Sequence, residues 1–199
     1  MFELARGIEI AGAEHLEEAF VINPVASHTM IRLNVSAPKL KETILRLAEK
    51  VDGLGYFALE IPRDELIKWV PLNKPFSVAR DTYYLNGLEM TYFGLIMEMF
   101  GELLIHDGWV NFGYAAMDGI DGVFVLDDKQ IEIHTTSPSK YVALLQGFGF
   151  AERDSLRGVR ELISSETPLV RRSIDVSGET VEEMIASMHT YGLQLGIAV

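Results

Sequence analysis

The chain contains no cysteine. That absence excludes disulfides, thiolate nucleophiles and Cys-ligated zinc or iron–sulfur sites together, so any metal chemistry would fall to His, Asp and Glu. Positive charge is also scarce: 17 Lys and Arg stand against 29 Asp and Glu, a formal net charge of −12. Phosphate backbones are bound mainly through lysine and arginine with counterion release, and this balance argues against a nucleic-acid partner. No apolar run has the length of a membrane span. The opening stretch, MFELARGIEIAGAEHLEEAF, has an acid at Glu3 and no basic segment before an apolar core, unlike a secretory signal. The expectation is a cytoplasmic protein without membrane association.

Apolar residues make up 48% and charged residues 23% of the chain, proportions of a sequence that folds. At 199 residues one core can bury most of the apolar surface. A single α+β domain over 1–199 is expected, with two halves meeting near 71–79 as the alternative, because Pro71 to Ala79 is rich in breakers.

The stretch from Leu104 to Leu145 organises the rest. Trp109, Val110, Phe112 and Tyr114 give the aromatic and β-branched enrichment of a strand. Met117-Asp-Gly-Ile-Asp-Gly122 supplies turn residues, Gly122 to Leu126 reads as a second strand, and Asp127-Asp128-Lys129 as a tight reversal. Gln130 to Thr135 then alternates with period two. These segments predict a three-stranded antiparallel meander. Ser137-Pro138 opens a helix, with serine at the cap and proline where its missing N–H is harmless, and Tyr141, Leu144 and Leu145 on its buried side.

Elsewhere, Ala13 to Phe20 reads as a helix with Leu16, Ala19 and Phe20 inward. Met30 to Val35 reads as a strand, followed by a helix from Ser36-Ala37-Pro38 carrying Leu40, Ile44, Leu47 and Val51. Tyr56 to Ile61 is a strand, Asp64 to Val70 a short helix and Asp81 to Leu85 a strand. The helix from Gly87 to Leu104 has Met90, Phe93, Ile96, Met97 and Phe100 as core filler. Arg153, Arg157 and Arg160 fall on one face of a helix expected to reach about Ser165. Leu169 to Val176 reads as a strand, Thr180-Val-Glu-Glu183 as a capping box, and Leu193 to Val199 as a closing strand. The resulting fold class is α+β: a largely antiparallel sheet with a central meander, strands near 30, 57, 172 and 196, and helices on one face. A strand–cap–helix unit recurs at Ile31 to Pro38, at Ile131 to Pro138 and, more loosely, from Ile174, which would suit repeated β-α units.

The five histidines show no helical metal spacing, and no HExxH or serine-elbow pattern occurs. The candidate catalytic set is His106, Asp107, Glu132 and His134, although the first and third strands of a meander are not neighbours. Between positions 86 and 135, nine acidic residues stand against Lys129 alone. Asp118, Asp121, Asp127 and Asp128 are the candidates for contact with a basic protein partner. Their spacing does not fit a calcium loop; no metal and no cofactor is expected. Arg153, Arg157 and Arg160 are candidates for anion binding, since arginine forks match phosphate and carboxylate. Pairing with the protein's own acidic centre is the competing account.

Gly101-Glu-Leu-Leu-Ile-His-Asp-Gly108, Val110-Asn-Phe-Gly113 and the later Ile131-Glu-Ile-His-Thr strand leading into Lys140-Tyr141 together resemble a pattern in small uncharacterised cytoplasmic bacterial proteins. The pattern covers roughly a quarter of the chain and holds no catalytic motif. It implies a bacterial intracellular setting and no activity. The function expected is a non-enzymatic protein-binding or regulatory module of the immunity or antitoxin kind. The alternatives are a small hydrolase or metal-assisted enzyme using the His/Asp/Glu set, and a scaffold that dimerises through an exposed strand edge.

Overall fold

The computed structural model of the chain describes residues 1–63 and 78–196. The helix expected over Asp64 to Val70 lies outside the described residues, and so does nearly all of the boundary expected at Pro71 to Ala79. The described elements in order are β1 (Ile8–Glu9), a 3-10 turn at Ala13–His15, β2 (Ala19–Val25), β3 (His28–Leu33), α1 (Ala37–Ala48), β4 (Gly55–Pro62), β5 (Arg80–Leu88), α2 (Met90–His106), β6 (Asn111–Ala116), β7 (Gly122–Val125), β8 (Ile131–Thr135), α3 (Pro138–Gly147), β9 (Ala151–Glu152), a 3-10 turn at Arg160–Leu162, β10 (Val170–Arg171), α4 (Val181–His189) and β11 (Gln194–Leu195).

Nine strands form one sheet in the order β11-β5-β4-β6-β7-β8-β3-β2-β9. All of its pairings are antiparallel except β2 with β9. The meander is present as β6-β7-β8. Period-two alternation decides which face is buried: Ile31, Phe57, Phe112, Val123 and Ile133 are fully shielded and pack in one core with the inner sides of all four helices. In α1, Leu40, Ile44 and Leu47 recur at helical spacing and are each 0% exposed; burying such a side chain contributes about 1.5–3 kcal/mol. The helix starts where Ser36 leaves the extended region and Pro38 occupies the first turn. In α4, Thr180 and Glu183 close the expected capping box from both sides. The buried side of α2 is the one its pattern assigns, with Phe93, Ile96, Met97 and Phe100 inward.

Four expectations are corrected. Ala13 to Phe20 is a short 3-10 turn leading into β2, because Phe20 to Val25 pairs residue for residue with β3. Pro24 is tolerated in β2 because β9 reaches only Ala19 and Phe20, leaving that end an edge. No α-helix spans Arg153 to Ser165; a two-residue strand and a 3-10 turn occupy it instead. The strand near 172 is β10, which belongs to a separate two-stranded sheet with β1. The third copy of the β-α unit lacks its strand, since Ile174 to Ser177 contributes a single bridge from Val176 to Glu179.

The small sheet joins the body by backbone. Gly7 donates to His106 O at 2.8 Å, and Gly108 donates to Arg172 O at 3.0 Å. A Cβ on Gly108 would lie 2.1 Å from Gly7 O, so only glycine permits this approach.

Candidate functional site: the open face of the sheet

The helices cover one face of the sheet. On the other face the alternate residues line a cleft of about 250 Å³, bounded by Tyr56, Tyr84, Phe124 and His134, with Glu60, Thr82, Asn111 and Glu132 among its polar groups. Strand register explains the shape. Ala58 pairs with Tyr84 on one side and Gly113 on the other, and Gly113 pairs with Phe124. Two small residues therefore form the floor between two aromatic walls. Tyr56 meets Tyr84 edge to face, ring centroids 5.7 Å apart. Phe124 leans over Gly113 so closely that a Cβ there would meet its ring at 2.5 Å and Val123 O at 2.4 Å.

Glu60 and Asn111 are register partners, and Asn111 Nδ2 donates to Glu60 Oε2 at 2.7 Å. The Asn amide orientation is inferred from this network, and the flipped form would set two acceptors against each other. Glu60 takes part in no ion pair among the described residues. At the other side, His134 Nε2 stands 3.8 Å from Glu132 Oε2, an ion-pair distance beyond hydrogen-bond reach. The His134 imidazole holds the Glu132 carboxyl below its ordinary range, against the opposing effect of burial. His134 Nδ1 in turn contacts His28 Nε2 at 3.0 Å, and His28 Nδ1 lies 3.2 Å from Ser27 Oγ. Burial raises the Tyr56 phenol, with Tyr84 adding to the shift, so its ring is neutral.

The four residues expected to form a catalytic set are separated by the sheet. Glu132 and His134 face the cleft. His106 ends α2 on the helical side, where its Nδ1 accepts from Arg6 N at 3.1 Å and its Nε2 lies 3.8 Å from Glu102. Burial lowers the His106 imidazole, opposed by Glu102. Asp107 is 1% exposed and accepts from Trp109 N and Ile174 N. Among the described residues no group of three or more His, Asp or Glu side chains is placed to hold a metal ion.

The four aspartates expected to meet a partner likewise divide. Asp118 is exposed. Asp121 accepts from Thr135 Oγ1 and pairs with Lys140. Asp127 and Asp128 are only 4% and 3% exposed, which removes them from any contact surface. Asp127 accepts from Arg80, Arg160 and Arg171, and Asp128 from Arg160. Burial pushes the Asp127 carboxyl up, but the three guanidiniums, Arg171 foremost, outweigh it and hold it below the ordinary range. Arg171 also lies against the Trp109 ring, 5.3 Å from its centroid.

Two of the anion-binding candidates are engaged by carboxylates of the protein itself, one of them in this cluster. Arg160 is committed to Asp127 and Asp128, and Arg153 to Glu17. Arg157 contributes its carbonyl, which accepts from Asn34 Nδ2 at 2.8 Å. The three do not converge on a common pocket. Part of the acidity concentrated in the sequence is met within the molecule, because Arg80, Arg160 and Arg171 reach Asp127 and Asp128 from distant segments and Lys140 reaches Asp121.

Sequence reasoning missed Tyr56, Glu60, Tyr84, Asn111, Phe124 and His28 as site residues. Their signal was present as the second phase of each alternating strand, but only the sheet order shows which of these phases meet. Comparison with protein-family models, with curated proteins and with solved structures found no match.

Proposed function

We propose that this protein is a binding module, regulatory or of the immunity or antitoxin kind, which receives a basic protein partner on the open face of its sheet. The observation that carries this reading is the one-sided packing among the described residues: their four helices pack on one face, while the other presents aromatic rings and two carboxylates around a cleft. Aromatic residues concentrate at the centres of protein interfaces, and the excess negative charge favours encounter with a basic surface. Asp118 remains at the rim of this reading; Asp127 and Asp128 hold the fold together instead.

The test is capture from cell extract by the wild-type chain and by Glu60→Lys/Glu132→Lys, at low and then high salt. A basic protein retained by the wild type, released by salt and absent from the charge-reversed chain supports the reading. Equal retention by both chains contradicts it.

A second reading rests on the contact between His28 and His134 beside Glu132, since linked imidazoles with a carboxylate can move a proton. It predicts hydrolysis of an ester, amide or phosphoester substrate that His134→Ala abolishes. Activity unchanged in that variant would end it.

A further inference from the structure

We infer that the cleft on the open face receives the guanidinium of an arginine side chain supplied by the partner. The inference rests on the protein-binding reading and specifies its chemistry.

Three observations lead to it. First, size: at about 250 Å³ the cleft falls below the roughly 300–1,000 Å³ of pockets that take whole small-molecule ligands. It suits the end of one long side chain. Second, charge: the Glu60 carboxylate is fixed by Asn111 Nδ2 and makes no ion pair among the described residues. Its neighbour Arg80 directs its guanidinium hydrogen bonds to Asp127, to Trp109 O and, from Nη1 at 3.5 Å, to the Glu60 carbonyl rather than to the Glu60 carboxylate, and Glu132 already has His134. Among the described residues one oriented carboxylate thus faces the cleft without an ion pair of its own, although the Arg80 charge acts on it. Third, the walls: Tyr56, Tyr84 and Phe124 present aromatic surface around that carboxylate. A flat cation that donates hydrogen bonds in its plane while stacking on rings satisfies both features, and arginine does this better than the compact, strongly hydrated lysine ammonium.

Among the other features, the solvent side of α2 exposes Tyr92, Leu95 and Met99, but nothing in the structure shows what covers it. The Asp127 cluster is saturated by its own arginines.

The experiment follows the amide NMR spectrum of the full chain during titration with Nα-acetyl-arginine amide, and in parallel with the uncharged isostere Nα-acetyl-citrulline amide. The expected result is saturable shifts at Tyr56, Thr82, Tyr84 and Asn111. Binding of the citrulline probe, and of the arginine probe to Glu60→Gln, should be weaker by about tenfold or more, the size of a lost charge-assisted hydrogen bond. Glu60→Gln keeps an acceptor for Asn111, and its unperturbed spectrum elsewhere shows that the fold is retained. Equal binding of the two probes, shifts outside the cleft, or no shift with arginine amide would overturn the inference. A captured protein partner that Glu60→Gln binds as well as the wild type would overturn it while leaving the binding-module reading standing. Arginine-probe binding without any captured protein would do the reverse.

Discussion

At the scale of single residues, the charges that organise the fold are buried rather than displayed. Asp127 holds Arg80, Arg160 and Arg171 around one carboxylate, drawing β5, the 3-10 turn at 160 and β10 onto the β7–β8 turn. Removing one partner from a buried ion cluster leaves the others uncompensated, and Asp127→Asn should destabilise the protein by about 3–5 kcal/mol in urea unfolding. A loss under 1 kcal/mol, roughly that of an exposed pair, would show that the cluster is not structural. Lys129 in the same turn is only 4% exposed, with its Nζ 3.3 Å from the carbonyls of Leu104 and Val110. Burial lowers its ammonium to about 8, with Asp107 and Asp127 opposing. Between that value and the 10.5 of an ordinary lysine, the unfolded chain binds more protons than the folded one, so this group adds stability as pH rises. Urea unfolding of the wild type and Lys129→Met across that window should show the difference shifting in favour of the wild type. Parallel pH profiles would contradict the assignment.

At the scale of elements, two glycines forecast opposite outcomes. Gly94 lies within α2, and a Cβ there meets nothing within 4 Å. Gly94→Ala should therefore stabilise by about 0.5–1 kcal/mol through helix propensity. Gly113 lies under Phe124, and Gly113→Ala must push the ring or the strand aside, destabilising by about 1–3 kcal/mol. Thermal unfolding of the two variants checks both signs. Most elements were legible because their periods are clean: β3, β4 and the meander alternate, while α1 and α2 repeat at helical spacing. Leu16, Ala19 and Phe20 misled because spacings of three and four fit a helix, yet the hairpin with β3 recruits Phe20 onward into a strand. The arginines at 153, 157 and 160 misled similarly. Gly158 sits against the Gln130 side chain, and Arg160 reaches Asp128 from a 3-10 turn. In both cases long-range pairing overrode a local period.

At the scale of the molecule, the sequence shows how much acid there is but not where it points. The net charge of −12 is real, yet Asp121, Asp127, Asp128, Glu98 and Glu102 are each met by a basic side chain. Glu60, which makes no ion pair among the described residues and accepts from Asn111, lies outside the acidic run and is revealed only by sheet order. With the described helices on one side, the aromatic–acidic face is the one where we propose that a partner docks. Hydroxyl-radical footprinting of the protein, alone and with its captured partner, tests this most directly. Protection of Tyr56, Tyr84, Phe124 and His134, with Tyr92 and Met99 on the outer side of α2 as reactive as before, is the predicted result. Protection of Tyr92 and Met99 with the cleft residues unchanged would contradict it.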